Sequence, residues 1–304
     1  MTYALPLFIA LLLDAALGEP QWLWRRITHP VVLMGRLVDA FDASLNHGTY
    51  RRMKGALAMA LMVFGAWALG KTAGLLPFGQ IITIATAAVL IAQKSLVVHV
   101  RAVANALRLS IGDGRLTVSM IVGRDTRELD EAGIARGAIE SAAENQSDGV
   151  IAPAFWFLLG GLPGLLIYKI TNTADSMIGH RTLLHEDFGW AAARFDDLLN
   201  LIPARLTAIL IVLSFARFDA IKLILRDAPL HRSPNAGWPE AAMAVVLNIQ
   251  LSGPRSYDGI LRDYPYVYPE GSYKANADTI DQSIKVLCRS WGLLLTLVAI
   301  LALV

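Results

Sequence analysis

Long runs of apolar residues alternate with polar segments along this chain. The runs cover residues 3–17, 55–70, 78–98, 150–167, 201–215 and 291–304. Hydrophobic residues make up 55% of the sequence and charged residues only 17%, proportions typical of a protein that lies in a lipid bilayer. We therefore predict an all-α, polytopic (multi-pass) integral membrane protein, a single membrane-embedded domain over residues 1–304 in which the runs are spanning or buried helices.

The run at 150–167 is interrupted by the segment Gly160-Gly161-Leu162-Pro163-Gly164. Glycine and proline are the residues least compatible with a helix interior, so this segment favours a turn over a straight helix. We predict a broken helix, either a re-entrant hairpin or a helix pair buried among others, that returns Lys169 to the side where the run began. The loop at 18–54 is rich in Lys and Arg, so the positive-inside rule places it, with the helical functional loops, on the cytoplasmic side of the inner cell membrane.

Three acidic residues, Glu140, Glu144 and Asp148, are spaced at intervals of four. On a helix they share one face, where like charges repel by roughly 0.2–0.5 kcal/mol per exposed pair. A hard divalent cation such as Mg²⁺ prefers carboxylate and carbonyl oxygens and would relieve this repulsion. The alternative is a solvated helix face on which Arg136 pairs with Glu140.

Several further segments are predicted from local patterns. Residues 99–122 indicate an amphipathic helix followed by a turn at Gly112-Asp113-Gly114. Asp125, followed by Glu128, has a structural alternative to a binding role, since the pair fits an N-cap and capping box that open the next helix. Later in the chain, 218–225 and 241–251 also indicate helices.

A second polar cluster follows the broken apolar run. It contains Lys169, Asn172, Asp175, Ser176, His180 and Arg181. A third lies in the segment 231–240, whose two prolines and one glycine indicate a rigid loop. Polar groups without partners are costly beside apolar segments, so these clusters indicate a functional site.

The order of these motifs resembles one known family. The matching segments are Gly123-Arg124-Asp125-Thr126, Glu140-Ser141-x-x-Glu144-Asn145, Asp148-Gly149-Val150-x-Ala152-Pro153, Asn172-Thr173-x-Asp175-Ser176-Met177, Ala193-Arg194-x-Asp196-Asp197 with Asn200, Pro203-Ala204-Arg205-Leu206-Thr207 and Ser233-Pro234-Asn235-x-Gly237-x-Pro239-Glu240. They resemble the CobD/CbiB family, the adenosylcobinamide-phosphate synthases of cobalamin biosynthesis. The resemblance runs from Asp14 to about Gly259. The chain departs from the family pattern at Gly137, at His185 and at Tyr264-Pro265.

The resemblance implies an enzyme that joins a corrinoid acid, cobyric acid, to an amino-alcohol or its phosphate as an amide, using ATP and Mg²⁺. The metal ligands that we assign are Glu140, Glu144, Asp148, Asn172 and Asp175. The catalytic residues are Asp175, Glu144, His180 and Lys169, and the nucleotide-binding residues are Arg124, Asp125, Thr126, Asn145, Ser176 and Arg181. The substrate-binding residues are His231, Arg232, Ser233, Asn235, Glu240 and His29.

Other classes of function remain as alternatives. Broken apolar helices that carry Asn and Asp at their ends also suit an ion-coupled transporter, and a non-catalytic membrane scaffold for corrinoid enzymes is a third hypothesis. A net charge of +2, without a basic run interleaved with aromatics, argues against nucleic acid as a partner. Cys288, the lone cysteine, excludes an internal disulfide. The sequence leaves the oligomeric state open.

Overall fold

The computed structural model describes residues 2–257 and 259–304. Its α-helices are α1 Ala4–Leu17, α2 Gln21–Trp24, α3 Pro30–Leu45, α4 Arg51–Leu75, α5 Gly79–Leu90, α6 Gln93–Leu109, α7 Ile111–Val118, α8 Glu131–Gln146, α9 Ala152–Ile178, α10 Trp190–Ser214, α11 Ala220–Asp227, α12 Gly237–Leu247 and α13 Ala277–Leu303. A π-helical turn, Ser147–Ile151, follows α8, and a 3₁₀ turn, Ala228–Leu230, follows α11. Short strands form two antiparallel pairs, β1 Leu251–Ser252 with β4 Tyr266–Val267 and β2 Arg255–Tyr257 with β3 Ile260–Arg262.

The predicted fold class, a helical polytopic membrane protein, is confirmed. Within the described part of the chain, five helical stretches are long and apolar enough to cross a membrane: Arg51–Leu75, Gly79–Leu109, Glu131–Ile178, Trp190–Ser214 and Ala277–Leu303. They contain five of the six predicted apolar runs. The sixth forms α1, whose 14 residues reach about 21 Å against a hydrocarbon core of about 30 Å.

Several predicted boundaries are wrong. The run at 78–98 is divided between α5 and α6, because Ile91 adopts an extended backbone (φ −92°, ψ 128°) that ends the first helix. The runs at 201–215 and 291–304 are the later parts of longer helices, α10 and α13. The predicted turn at Gly112-Asp113-Gly114 lies inside α7, since the Oγ of Ser110 accepts a hydrogen bond from the amide of Asp113 (3.0 Å) and caps that helix.

The capping residue of α8 also differs from the prediction. Asp130, and not Asp125, is the N-cap, and its Oδ1 accepts a hydrogen bond from the amide of Gly133 (2.7 Å). The Oδ2 of Asp125 instead accepts hydrogen bonds from Ser256 Oγ (2.7 Å) and from the amide of Gly259 (2.8 Å). Asp125 therefore fixes the β2–β3 hairpin rather than the start of a helix.

The chain folds into two compact units that are built from alternating segments. Unit 1 contains the described residues up to Ala92, together with Ala152–Asn200 and Val298–Val304. Unit 2 contains Gln93–Ile151 and Leu201–Leu297. The prediction of one membrane-embedded domain concerns how these units act together, and it stays a prediction.

Each unit has its own apolar core. In unit 1, α3 and α4 pack against α9, and the core includes Val38, Met62, Ile170 and Phe188. In unit 2, α8 is surrounded by α6, α7 and α12, and the core there includes Val103, Ile134, Ile139, Met243 and Leu287. Helix α8 is buried on most of its surface because alanine, glycine and isoleucine occupy the positions between its polar residues.

Helix α9 of unit 1 reverses direction at the segment where the sequence predicts a break. Gly161 has φ 62° and ψ −151°, a backbone conformation outside the helical region. A Cβ atom placed on Gly164 would overlap the carbonyl oxygen of Trp156. Residues eight apart in a straight helix are separated by about 12 Å along the axis. The two arms of α9 therefore fold back on each other as a hairpin.

Contacts with α10 show the same reversal. Trp156, on the first arm, donates a hydrogen bond to the carbonyl of Leu199 (3.1 Å), and Tyr168, on the second arm, donates one to Asn200 Oδ1 (3.0 Å). In a straight helix the two aromatic residues would lie about 18 Å apart. The first arm within α9, residues 152–160, is only about 14 Å long.

Candidate functional site

A buried ion-pair network in unit 2 surrounds Glu140. One carboxylate oxygen of Glu140, Oε2, lies 2.8 Å from Arg124 Nη2 and 3.2 Å from Arg255 Nη2. The other oxygen, Oε1, accepts a hydrogen bond from the backbone amide of Ser252 (2.7 Å). Both oxygens of this carboxylate are therefore already engaged by groups of the protein.

The alternative of a solvated helix face is wrong for this acid. Glu140 is only 4% exposed. Arg136 does not supply its counter-charge but lies over the ring of Tyr273, 4.2 Å from the ring centroid. The partner is Arg124, which the sequence assigns to nucleotide phosphates.

Next to this network lies a cluster formed by Glu144, His231 and Glu240. These three residues come from α8, from the loop after the 3₁₀ turn and from the first turn of α12, and one ligand atom from each lies within 4.8 Å of the others. Glu240 is fully buried. Its Oε2 accepts a hydrogen bond from Ser252 Oγ (3.2 Å), whereas its Oε1 has no hydrogen-bond partner within the described ranges. The Nε2 of His231 lies 3.4 Å from that Oε1.

Local backbone features hold the cluster in place. The amide of Ser233 donates a hydrogen bond to His231 Nδ1 (3.1 Å), which orients the imidazole ring. Gly237, at the start of α12, approaches the carbonyl of Ala228 so closely that a Cβ atom would overlap it. Ser252 has a left-handed backbone (φ 61°), a conformation that is uncommon for serine. Backbone strain of this kind concentrates at functional sites.

Burial dominates the electrostatics of the cluster. It raises the pKa of Glu240 to about 7, and the nearby Glu140 carboxylate adds to the rise. Burial also lowers the pKa of His231, so the imidazole is neutral at pH 7. With their carboxylates ionised, the three glutamates face two guanidinium groups, those of Arg124 and Arg255. The cluster then carries an excess of negative charge that a bound cation would balance.

A small pocket opens beside the cluster. It is lined by Leu230, His231, Arg232, Ser252, Arg255, Tyr264 and Pro265. The guanidinium of Arg232 lies 5.3 Å from the ring centroid of Tyr257 and 5.9 Å from that of Tyr264. The pocket thus places arginine side chains next to buried carboxylates, an arrangement suited to a ligand with phosphate groups.

Other residues of the predicted substrate loop stabilise its conformation. Ser233 Oγ accepts hydrogen bonds from the amides of Asn235 and Ala236 (3.2 Å each). The Oδ1 of Asn235 accepts a hydrogen bond from Arg205 Nη1 (3.3 Å), and Asn235 is buried. Of the predicted substrate residues in this loop, His231, Arg232 and Glu240 lie at the pocket or the cluster.

The remaining predicted residues of unit 2 lie along α8 and the segment before it. Thr126 is buried, and its carbonyl accepts a hydrogen bond from the amide of Leu129. Asn145 is exposed, and its amide donates a hydrogen bond to the carbonyl of Ser141 (2.9 Å). Asp148 is half-buried in the π-helical turn, an element that often occurs at functional sites.

Unit 1 carries a separate polar network between α9 and α10. Asp196 is its centre, and it accepts hydrogen bonds from Asn172 (3.4 Å) and Asn200 (2.9 Å). Asn200 in turn accepts the hydrogen bond from Tyr168 (3.0 Å). The sequence assigns only Asn172 of this network to the site. The motif containing Asp196, Asp197 and Asn200 was the signal that could have identified the others.

The other predicted residues of unit 1 are distributed around this network. Asp175 is half-buried in the last turn of α9, and Lys169 is buried. Ser176, His180 and Arg181 are exposed. His29 is the N-cap of α3, where its Nδ1 accepts a hydrogen bond from the amide of Val31 (3.2 Å). Its assignment to substrate binding stays a prediction beside this structural role.

Comparisons with known proteins agree with the motifs. The model of the family described as "CobD/Cbib protein" matches residues 7–287, and so continues past the departure at Tyr264-Pro265. Proteins named "Cobalamin biosynthesis protein CobD" are 48% identical to the chain in Sinorhizobium fredii (98% of this chain, 97% of the relative), 47% identical in Brucella suis (98% and 96%) and 47% identical in Rhodobacter capsulatus (88% and 87%). No solved structure matches the chain at a significant level. Because the family model covers nearly the whole chain and these relatives share almost half of their residues with it, the chain belongs to the CobD/CbiB family.

Proposed function

We propose that this chain catalyses the ATP-dependent formation of an amide bond between (adenosyl)cobyric acid and aminopropanol or its phosphate. The product is (adenosyl)cobinamide or its phosphate. Family membership and the names of the relatives support a role in cobalamin biosynthesis. The observation that carries the chemical part is the cluster of Glu144, His231 and Glu240 beside Arg232 and Arg255.

The reaction needs this combination of charges. A carboxylate reacts poorly with an amine at neutral pH, and transfer of the γ-phosphoryl group of ATP to its oxygen supplies a leaving group and releases ADP. The amine nitrogen then attacks the carbonyl carbon, the C–O bond to phosphate breaks, and one amine proton passes to a base. Charge that develops on the phosphate oxygens must be stabilised by cations or aligned dipoles.

The residues present fit ATP with Mg²⁺. Mg²⁺ binds through one or two carboxylates and keeps positions for water and substrate phosphates. Glu144 is a predicted metal ligand in the described part of unit 2, and it lies beside a carboxylate oxygen that lacks a hydrogen-bond partner. When bound, the ion would neutralise phosphate charge. Arg255 lines the pocket and can donate hydrogen bonds to the phosphate oxygens of the nucleotide, and Arg232, which lines the same pocket, is assigned to the phosphate of the amine. In unit 1, Asn172 and Asp175 remain proposed ligands, and Lys169 and Arg181 remain proposed phosphate partners.

We place the functional loops in the cytoplasm, where ATP is available, and the protein in the inner membrane. The basic residues of the loop at 18–54 support this orientation. The hairpin of α9 supports it as well, because the two arms contact adjacent residues of α10. The corrinoid and the amine would then reach the site from the same compartment as ATP.

The test is a ligation assay on detergent-purified protein. The reaction contains Mg²⁺, cobyric acid and either aminopropanol or its phosphate, with and without ATP, and the corrinoid amide and ADP are measured by chromatography and mass spectrometry. We expect product only with ATP, and we expect Glu144→Gln and Asp175→Asn to abolish turnover with near-normal folded yield. No product with either amine would favour the scaffold hypothesis, and product formed without ATP would overturn the proposed reaction.

A further inference from the structure

We propose that Glu144 and Glu240 are the two direct protein ligands of a divalent cation in unit 2, and that His231 orients Glu240 from the second coordination shell. The sequence analysis assigns Glu240 and His231 to substrate binding, so this site is new. It deepens the proposed function, on which its catalytic meaning rests, by identifying which acids hold the metal. The binding of the ion itself is independent of the ligation reaction.

The carboxylate of Glu240 is buried without full compensation. Its side chain is fully buried, and its Oε1 has no hydrogen-bond partner in the part of the chain that the structure describes. Burying such an oxygen without compensation is unfavourable, and more so when the group is charged. A carboxylate oxygen of Glu144 lies within 4.8 Å of a carboxylate oxygen of Glu240. Two carboxylates this close repel each other unless a cation or a proton lies between them.

The neighbouring acid, Glu140, is already neutralised by the protein. Glu140 lies one helical turn before Glu144 on α8. Its oxygens, however, are engaged by Arg124, Arg255 and the amide of Ser252. Arg124 and Arg255 together neutralise the carboxylate of Glu140. Of the two, Arg255 also approaches Glu240, with its Nη2 3.7 Å from Glu240 Oε2. Glu240 Oε1 lies 3.4 Å from His231 Nε2, and a carboxylate oxygen of Glu240 lies within 4.8 Å of one of Glu144. The uncompensated charge is therefore shared by Glu144 and Glu240.

The imidazole of His231 is held in one tautomer. Because Nδ1 of His231 accepts the hydrogen bond from the amide of Ser233, the neutral ring carries its hydrogen on Nε2. That nitrogen lies 3.4 Å from Glu240 Oε1 and makes no hydrogen bond to it in this structure, so His231 is positioned to donate to the carboxylate once a bound ion orients it, and not to act as a ligand. Second-shell donors of this kind orient ligating carboxylates. Oxygen-only coordination by the protein suits Mg²⁺ and Mn²⁺.

The experiment measures Mn²⁺ binding by electron paramagnetic resonance on the detergent-purified full chain, without nucleotide, corrinoid or amine. Wild-type protein should bind one Mn²⁺ ion per chain, which is measured as the loss of the sharp signal of free Mn²⁺. Mg²⁺ should compete with Mn²⁺ for this site. Glu240→Gln and Glu144→Gln should each weaken binding by about 100-fold or more, and His231→Gln by about tenfold, the effect of losing a second-shell partner. Glu131→Gln is the matched control, since Glu131 is an exposed acid on the same helix.

Each outcome decides the assignment. Glu144 is only half-buried, so Glu144→Gln is informative even where replacing the fully buried Glu240 lowers the yield. If wild-type protein binds no Mn²⁺, the two carboxylates share a proton and the site is not a metal site. If binding survives in both variants, the ion is held elsewhere. Mn²⁺ binding that follows this pattern, combined with no ligation in the assay above, would reject the proposed reaction and keep the metal site.

Discussion

The hairpin in α9 leads to the prediction that the structure supports in most detail, the replacement of Gly161 by alanine. Gly161 has φ 62° and ψ −151°, a region that is open almost only to glycine. A Cβ atom there would also lie 2.8 Å from the ring of Tyr3. The neighbouring Gly160 provides the matched control, because a Cβ at that position meets nothing within 4 Å.

Two effects determine the magnitude. The backbone strain contributes about 1–3 kcal/mol. Overlap with the ring of Tyr3 adds about 1–3 kcal/mol, typical of overpacking. In the opposite direction, alanine lowers the conformational entropy of the unfolded chain, which stabilises the folded protein by about 0.4–1 kcal/mol where the backbone accepts alanine. Gly161→Ala should therefore destabilise unit 1 by roughly 1–5 kcal/mol, whereas Gly160→Ala should be neutral or slightly stabilising.

The assay is thermal unfolding of both variants in the same detergent, followed by intrinsic fluorescence. A Tyr3→Ala background separates the two effects, since removing the ring relieves the overlap but leaves the backbone strain. In that background the loss caused by Gly161→Ala should shrink without disappearing. If Gly161→Ala and Gly160→Ala unfold at the same temperature, the chain does not reverse at Gly161 and the hairpin assignment is refuted.

Three further predictions concern the network, the pocket and the topology. Arg124→Ala should lower the free energy of unfolding by about 3–5 kcal/mol, because it leaves the buried Glu140 with less compensation; a loss of ATP affinity at unchanged stability would contradict this. Arg232→Ala should raise the KM for the phosphorylated amine several-fold and leave the KM for ATP nearly unchanged, and an equal rise in both would argue against a specific contact. In a variant without Cys288, a cysteine at the exposed Thr182 should react only with reagents on the cytoplasmic side and one at the exposed Leu75 only from outside; labelling of position 182 from outside would contradict the re-entrant hairpin.

The hairpin was predictable because its cause is local. Glycine and proline disfavour a helix interior wherever they occur. The segment Gly160 to Gly164 therefore predicts a break in the helix even when its tertiary contacts are unknown. The sequence did not indicate that Tyr3 packs against the break, since that contact joins distant parts of the chain.

The choice between equivalent local signals could not be predicted. Asp125 and Asp130 both satisfy the requirements of an N-cap, and the β2–β3 hairpin, which binds Asp125, decides between them. Arg136 has the helical spacing to pair with Glu140, yet Arg124 does so from outside the helix. In both cases a tertiary contact selects one of two locally plausible partners.

The site shows the same division. Glu144, His231 and Glu240 were each identified from motifs, but under different roles, because spacing along the chain does not show that α8, the loop and α12 meet. The unpartnered oxygen of Glu240 is visible only once its neighbours are placed. Sequence reasoning therefore identified the residues, and their three-dimensional arrangement supports a different division of roles.

The alternation of segments between the two units constrains how the protein is made. Unit 2 begins only at Gln93, after the first part of unit 1 has left the ribosome, and it requires residues up to Leu297. Unit 1 is completed by the last helical turns, Val298–Val304. Neither unit corresponds to a continuous stretch that a ribosome could release and fold before the other. Each unit can therefore complete its packing only after segments that are far apart in the sequence have been synthesised.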